Sequence, residues 1–239
     1  MRIYLCGQRF FGQEALELLL REGHDIAGVS APTEHRGGAV DRLWKRAGIH
    51  GLPRMQAGAL NADNLPDGVD LIVCAHSHDF VGRRTRLRAR YGAVGYHPSL
   101  LPLHRGRDAV RWALRMREPV TGGSVYWLDD RIDAGPIAAQ DWCFVRPRDT
   151  ASELWQRDLQ PMGLRLLQRV VADVARGRIV AVPQDEALAT REPSFDQPSL
   201  RRPDLPLLRA SNDDPADTMV VFELDRDTAP HASQSAAKP

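Results

Sequence analysis

The segment that decides the fold is Ala93-Val-Gly-Tyr-His-Pro-Ser-Leu-Leu-Pro-Leu-His-Arg-Gly106, an apolar run that ends in a histidine and a proline. Residues 93–96 have the pattern of a buried strand, and Pro98 biases the preceding His97 away from helical geometry. His97 therefore lies where the chain turns out of a sheet. Ligands of open α/β sheets bind beyond the carboxyl ends of the strands, so His97 is the first candidate for a functional residue.

The sequence before this segment alternates between strand and helix patterns. Short apolar runs typical of buried strands occupy residues 2–6, 25–30 and 69–75, and helical spacing occupies residues 10–21, 38–47 and 83–90. Gly23 is a typical end for the first helix. This alternation predicts an α/β fold with a mostly parallel central sheet and helices on both faces.

The pattern changes after the central segment. A helix over 108–116 is followed by strands over 124–128 and 137–145 and by a long helix over 150–176, in which Pro161 predicts a kink. Periodicity fades after Val182, with one short strand expected over 218–224. We therefore expect a compact domain over residues 1–180, an irregular extension over 181–224 and a tail over 225–239 whose composition is typical of disorder.

Composition narrows the function classes. The chain has 239 residues, of which 43% are hydrophobic and 26% charged, and its formal net charge is +1. This balance favours neither a nucleic acid nor a membrane surface as a partner, and no apolar run is long enough to span a bilayer. The N-terminal residues lack a signal-peptide pattern, and Cys6, Cys74 and Cys143 lie far apart in strand-like runs. We expect a cytoplasmic protein with small-molecule partners; its oligomeric state is left open.

A second candidate residue lies between the last two predicted strands, in Asp129-Asp-Arg-Ile-Asp-Ala-Gly-Pro136. Three carboxylates in five residues indicate either a solvated turn or a metal site. The spacing of a calcium loop is absent, and we predict no metal site. Asp129 and Asp130 are best interpreted as a polar turn, whereas Asp133 can form an acid–base pair with His97, because a carboxylate near an imidazole can relay a proton through water.

Together, His97-Pro-Ser-Leu-Leu-Pro102 and the Asp133-Ala-Gly135 loop resemble the signature of the folate-dependent formyltransferases. The resemblance extends from Met1 to about residue 190. Residues 7–14 and the tripeptide 96–98 look most like the hydrolase domain of 10-formyltetrahydrofolate dehydrogenase. Methionyl-tRNA formyltransferase and glycinamide ribonucleotide formyltransferase look like more distant relatives. The resemblance implies a Rossmann-like formyltransferase fold, with residues 1–180 as its catalytic domain and 10-formyltetrahydrofolate as formyl donor.

The resemblance also assigns roles to residues. The catalytic histidine, which stabilises the tetrahedral intermediate, corresponds to His97, and the aspartate that manages protons through a water corresponds to Asp133. The pterin cleft would be formed by His78, Phe80 and Val81 on one side and by Ala134, Gly135 and Ile137 on the other. Gly7 and Arg105 are expected to face the acceptor, although Gly7 also fits a tight packing turn and Arg105 could pair with Asp108.

One position departs from the family pattern. The family usually has asparagine two residues before the histidine, where this chain has Gly95. The first expectation is transfer of a formyl group from 10-formyltetrahydrofolate to a small amine. The alternatives are hydrolysis of 10-formyltetrahydrofolate to formate and tetrahydrofolate, and folate binding without catalysis. Transfer to a tRNA is disfavoured, because only about fifty residues, rich in Pro and Asp, follow the core.

Overall fold

A seven-stranded sheet organises the chain in the computed structural model, which describes residues 1–35, 37–77 and 79–195. The strand order is β3-β2-β1-β4-β5-β6-β7. The first five strands pair in parallel, while β6 and β7 are antiparallel to their neighbours. The predicted mostly parallel α/β sheet is confirmed. The strands are β1 (Arg2–Gly7), β2 (Asp25–Ala31), β3 (Arg54–Gln56), β4 (Leu71–Ala75), β5 (Ala93–His97), β6 (Val120–Trp127) and β7 (Ile137–Phe144).

Six α-helical segments accompany the sheet within the described residues. They are α1 (Arg9–Arg21), α2 (Arg42–Ile49), α3 (Arg83–Arg86), α4 (Ala109–Arg115), α5 (Ala151–Leu154) and α6 (Gln160–Ala175). Helices α1, α2 and α6 bury their apolar sides on one face of the sheet, around Leu5 and Val73. The other face is covered by the α3 region and by residues 60–69, around Ile72. Both faces are therefore covered, although the long helices lie on one of them.

Local chemistry explains where the observed boundaries differ from the predicted ones. Helix α2 begins at Arg42 rather than at residue 38, because the Asp41 carboxylate accepts hydrogen bonds from the Leu43 and Trp44 amides and caps the helix there. The predicted helix over 83–90 is α-helical only over α3. Strand β3 was missed because it has three residues and lies at the edge of the sheet, where no apolar pattern is required.

The long C-terminal helix is interrupted just before Pro161. A π-helical turn over Trp155–Leu159 separates α5 from α6. Pro161 has no N–H to offer the carbonyl four residues earlier, so the regular ladder cannot pass this point. At this interruption the Tyr96 hydroxyl donates a hydrogen bond to the Leu159 carbonyl at 2.7 Å, and the Tyr96 ring lies against Gly163. The interruption thereby fastens α6 to β5, the strand that carries His97.

The compact unit of the chain runs from Met1 to Ser194, and a second unit begins at Phe195. Val182 joins Ile137 of β7 in an antiparallel bridge, so the chain after residue 180 continues along the sheet. The functional division at residue 180 stays a prediction. The strand expected over 218–224 and the tail over 225–239 lie outside the described residues. In the part that the structure describes, no helix is both long and apolar enough to cross a membrane.

We expect Gly163→Ala to destabilise the fold by about 1–3 kcal/mol, because the new methyl group would lie 2.5 Å from Cε1 of Tyr96 in a packed interior. Urea denaturation measures the change in the free energy of unfolding. The matched control is Gly82→Ala, whose methyl group would have its nearest neighbour at 3.7 Å. The control should change stability by less than about 1 kcal/mol. Equal effects in the two variants would contradict the packing argument.

Candidate active site

The loops that follow β1, β4 and β5 meet at one edge of the sheet, and their backbones are strained there. Arg9, His76, His104 and Asp108 all adopt positive φ angles, between 56° and 65°. Asp133, in the β6–β7 loop, reaches the same edge with φ of 50°. Such conformations cost non-glycine residues about 1–3 kcal/mol each and cluster at functional sites. The strain therefore points to the same edge as the sequence motifs.

His97 is the last residue of β5, and its ring is held in one orientation. The side chain is buried, and Nε2 lies 2.7 Å from the carbonyl oxygen of His104. Because a carbonyl oxygen only accepts, Nε2 must carry a proton and donate it to this bond. Nδ1 is left facing Asp133, with its nitrogen 3.6 Å from Oδ2. The structure thus brings together the two residues predicted as the catalytic pair.

The separation of 3.6 Å between Nδ1 and Oδ2 is longer than a direct hydrogen bond. A water or a substrate oxygen that lies beside the pair, about 2.8 Å from each atom, can hydrogen-bond to both. The gap is chemically useful because the imidazole can donate to one atom of a reacting group while the carboxylate accepts a proton from another.

Asp133 is fixed by donors from other parts of the chain. Its Oδ2 accepts from the Gly106 amide at 2.7 Å, and its Oδ1 accepts from the Tyr126 hydroxyl at 2.5 Å. The Gln184 side-chain amide donates to the carbonyls of Asp133 and Gly135 at 2.9 and 2.7 Å. These contacts hold both the carboxylate and its strained loop against His97.

The two walls predicted for the pterin cleft are joined by Arg86. Its guanidinium donates to the Val81 carbonyl and to the Asp130 carboxylate, both at 2.6 Å. Val81 is buried, whereas Phe80 is 74% exposed and presents its ring to solvent. The loops on both sides of the cleft therefore have a fixed separation.

The second wall is backbone-rich. Ala134 and Gly135 are buried and Ile137 is half-buried. A Cβ atom at Gly135 would lie 1.8 Å from the Trp127 carbonyl oxygen, so only glycine fits at this position. His78 lies outside the described residues. Folate binding by these wall residues stays a prediction.

Arg105 reaches the site but is occupied by the chain itself. Its guanidinium donates to the Gln184 side-chain oxygen at 2.8 and 3.1 Å and to both Glu186 carboxylate oxygens at 2.8 and 3.0 Å. This guanidinium, helped by Arg131, lowers the pKa of Glu186 to about 2. Arg105 thus forms its ion pair with Glu186 and not with Asp108. Oδ1 of Asp108 lies 3.6 Å from Nη1 of Arg111. Contact between Arg105 and an acceptor stays a prediction.

Gly7 has a packing reason for its identity. A Cβ atom there would lie 2.6 Å from the Ala75 carbonyl oxygen, at the end of the neighbouring strand β4. This contact accounts for the interpretation of Gly7 as a tight packing turn. A role facing the acceptor remains a prediction.

A buried histidine, His104, lies between two carboxylates next to the candidate site. His104 is 3% exposed, and its Nδ1 and Nε2 lie 2.9 and 2.8 Å from carboxylate oxygens of Glu192 and Glu118. The His104 amide donates to the Thr190 hydroxyl at 2.8 Å. Because the carbonyl of the same residue holds the His97 ring, the segment from Val182 to Ser194 reaches the catalytic pair through both His104 and Gln184.

Several of these residues were not identified from the sequence. Tyr126 lay inside a predicted strand, and Arg86 looked like one of many arginines in a basic helix. Gln184, Glu186 and Glu192 belong to a segment without periodicity, which offered no pattern to interpret. Among the described residues, no three His, Cys, Asp or Glu side chains lie close enough together to hold a metal ion.

Comparison with known proteins agrees with this geometry. A family model described as formyl transferase matches residues 54–171, which include His97 and Asp133. Mitochondrial 10-formyltetrahydrofolate dehydrogenase of Mus musculus is 34% identical to the chain over 218 residues, and methionyl-tRNA formyltransferase of Acidobacterium capsulatum is 33% identical over 205 residues. The chain belongs to the formyl transferase family.

The extent of these similarities differs between relatives. The dehydrogenase match covers 83% of this chain but only 24% of the relative, and the methionyl-tRNA formyltransferase match covers 81% and 65%. The crystal structure of glycinamide ribonucleotide transformylase 1 from Symbiobacterium toebii superimposes with a TM-score of 0.62 at 23% identity, over 77% of this chain and 94% of that one. The Rossmann-like formyltransferase fold expected from the sequence is therefore confirmed.

We expect Gln184→Ala to loosen the loop that carries Asp133, because the variant loses the bonds to two of its carbonyls. Hydrogen–deuterium exchange of the amides in residues 131–137 should accelerate by about thirtyfold, as expected when two hydrogen bonds of about 1 kcal/mol each are lost from a local opening. Gln168→Ala is the matched control, since that side chain makes a 2.8 Å bond to Glu22 on the exposed surface. Unchanged exchange in Gln184→Ala would show that other contacts hold the loop.

Proposed function

We propose that this chain binds 10-formyltetrahydrofolate and transfers its formyl group to a small amine. The observation that carries the proposal is the His97–Asp133 pair, with Nδ1 and Oδ2 separated by 3.6 Å at the carboxyl edge of the sheet. The family membership supports the formyl group as the reacting unit. The names of the similar dehydrogenase and of methionyl-tRNA formyltransferase support a folate-bound donor.

His97 supplies the electrophilic assistance in this proposal. Its Nε2 is committed to the His104 carbonyl, so Nδ1 is the nitrogen that meets the substrate. With a proton on Nδ1, the imidazole donates to the formyl oxygen as negative charge develops there during attack by the amine. Preorganised donors of this kind typically contribute about 3–4 kcal/mol to transition-state stabilisation.

Asp133 takes the proton that the amine releases. Its Oδ2 faces the gap, while the Gly106 amide and the Tyr126 hydroxyl keep the carboxylate from turning away. As the bond between the formyl carbon and the donor nitrogen breaks, that nitrogen needs a proton, which the Asp133 carboxyl group can return through a bridging water. The proton count closes without a metal ion.

The donor is proposed to lie between the Val81 and Ala134–Gly135 walls. A pterin ring has amide-like edges that pair with backbone N–H and C=O groups, and the second wall is mainly backbone. Arg86 links the loops of the two walls, because its guanidinium donates hydrogen bonds to the Val81 carbonyl and the Asp130 carboxylate. None of Val81, Ala134 and Gly135 carries a charged side chain, which suits a neutral ring system.

Hydrolysis is the second candidate, and one observation favours it. Nδ1 and Oδ2 are close enough, at 3.6 Å, for one water beside the pair to contact both, and Asp133 would activate that water next to the formyl carbon. The products would be formate and tetrahydrofolate. Transfer and hydrolysis use the same donor and the same two residues, so they differ only in the nucleophile.

We also propose a small-molecule acceptor and a cytoplasmic location. The net charge of +1 gives weak support for a phosphate-rich partner such as tRNA. Cys6, Cys74 and Cys143 are all free thiols. Cys6 and Cys74 lie opposite each other on the adjacent strands β1 and β4 without forming a disulfide. Free thiols suit a reducing compartment.

We expect His97→Ala and Asp133→Asn each to lower kcat by about 10²–10⁴-fold, because each removes a proton donor or acceptor from the reacting group. Release of tetrahydrofolate from 10-formyltetrahydrofolate measures the rate. His50→Asn is the control, because this exposed histidine contacts only Glu17 among the surface ion pairs described. The rate of the His50→Asn variant should stay within about twofold of wild type. A wild-type rate in either site variant would remove that residue from the mechanism.

The nucleophile is identified by supplying 10-formyltetrahydrofolate in ¹⁸O-water, alone and with an amino acid, an amino sugar or a peptide. Formyl transfer predicts tetrahydrofolate release only when an amine is present, with the formamide recovered. Hydrolysis predicts ¹⁸O-labelled formate without any amine. Folate binding without either product would overturn both catalytic proposals and leave a folate-binding protein.

A further inference from the structure

Tyr126 contacts the candidate catalytic carboxylate from a direction that the sequence did not reveal. The residue lies on β6, directly opposite Gly95 of β5 in the strand register. Gly95 has no side chain, and the Tyr126 ring lies beside the position that one would fill: a Cβ atom at residue 95 would be 3.5 Å from Cε1 of Tyr126 and 3.1 Å from Leu128. The Tyr126 ring therefore lies directly beside Gly95, at the position that departs from the family pattern.

The Tyr126 hydroxyl is a committed donor. The residue is 9% exposed, and its hydroxyl lies 2.5 Å from Oδ1 of Asp133. Burial, together with the nearby Asp133 charge, raises the pKa of Tyr126 well above its ordinary value, so the phenol keeps its proton. A protonated phenol facing a carboxylate donates to it, and such a charge-assisted hydrogen bond is stronger than one between neutral groups.

The two oxygens of Asp133 therefore have different tasks. Oδ1 is occupied by Tyr126, whereas Oδ2 accepts from Gly106 and faces the His97 ring. A carboxylate with one oxygen anchored cannot rotate freely about its terminal torsion, which is otherwise broad. The anchor leaves Oδ2 pointing toward the gap where the proposed proton transfer takes place.

We propose that Tyr126 is a positioning residue, whose hydroxyl anchors Oδ1 of Asp133 so that Oδ2 stays aimed at the reacting group. The proposal deepens the proposed function and rests on it for its kinetic readout. The geometry that carries it is the contact of the Tyr126 hydroxyl with Oδ1, together with the contact of Oδ2 with the Gly106 amide beside the His97 ring.

The test compares Tyr126→Phe with Tyr96→Phe. Both variants remove one hydroxyl from a buried tyrosine on adjacent parts of the sheet, but Tyr96 donates to the Leu159 carbonyl on the opposite face. In Tyr126→Phe we expect kcat to fall about tenfold to a hundredfold, with the KM for 10-formyltetrahydrofolate changed by less than about twofold. Tyr96→Phe removes a hydroxyl that does not contact Asp133, and it should leave kcat within about threefold of wild type.

A double-variant comparison separates anchoring from a general loss of stability. If Tyr126 acts through Asp133, adding Tyr126→Phe to Asp133→Asn should lower the residual rate by less than about twofold. A further tenfold loss in the double variant would overturn the proposal. Equal losses of kcat and of melting temperature in Tyr126→Phe and Tyr96→Phe would also overturn it, because the tyrosine would then be structural.

A measurement without turnover keeps this proposal distinguishable from the proposed function. The ¹³C resonance of the Asp133 carboxyl carbon, assigned by its disappearance in Asp133→Asn, is recorded in the full chain at a fixed pH. It should shift in Tyr126→Phe and stay in place in Tyr96→Phe, because only the first variant removes the donor to Oδ1. An unmoved resonance in Tyr126→Phe overturns the Tyr126 proposal. If the wild-type chain instead fails to release tetrahydrofolate while this resonance shifts in Tyr126→Phe, the proposed function fails and the anchoring role stands.

Discussion

An enclosed carboxylate requires hydrogen-bond donors on both of its oxygens, and this requirement for Asp133 organises one edge of the molecule. The donors come from separate parts of the chain: the Gly106 amide follows β5, and the Tyr126 hydroxyl comes from β6. Gln184, far along the chain, fixes the backbone of the same loop. The Gly106 amide, which follows β5, can reach Asp133, which follows β6, only if these two strands are paired in their observed register, so the sheet and the site depend on the same pairing.

His97 is constrained in a complementary way. Its Nε2–H bond to the His104 carbonyl assigns Nδ1 to the reacting side, and His104 is itself held between Glu118 and Glu192. A ring held by a backbone carbonyl keeps its tautomer irrespective of what occupies the gap. The strained φ of His104 is compatible with this arrangement because the glutamates and Thr190 hold the residue from several directions. The proposed catalytic pair is thus held in place by contacts within the chain itself.

The sequence predicted the features that depend on local pattern or on a recognisable motif. The parallel strands are short apolar runs, and His97 and Asp133 lie in motif segments, so both the sheet and the pair could be anticipated. The position of Pro161 also located the break in the long helix. Strand β3 was missed because an edge strand of three residues carries no required periodicity.

Contacts between distant segments could not be anticipated in the same way. Tyr126 is one residue of an apolar strand, and its role appears only when Gly95 and Asp133 are placed beside it. The segment after Val182 looked irregular because it forms almost no repeating structure, yet Gln184, Glu186 and Glu192 bond to Arg105 and His104 through side chains. Side-chain pairing across eighty residues leaves no periodic signal. Arg105 shows the same difficulty, since its partner is Glu186 rather than the neighbouring Asp108.

The site depends on Gln184, Thr190 and Glu192, and this dependence has a consequence for folding during synthesis on the ribosome. Domains fold from the N-terminus as the chain emerges, and the strands of this sheet have all emerged by residue 144. The sheet can therefore pair while the segment that holds His104 and the Asp133 loop is still being translated. A nascent chain halted between these points would contain His97 and Asp133 without the contacts from Gln184, Thr190 and Glu192 that hold His104 and the Asp133 loop.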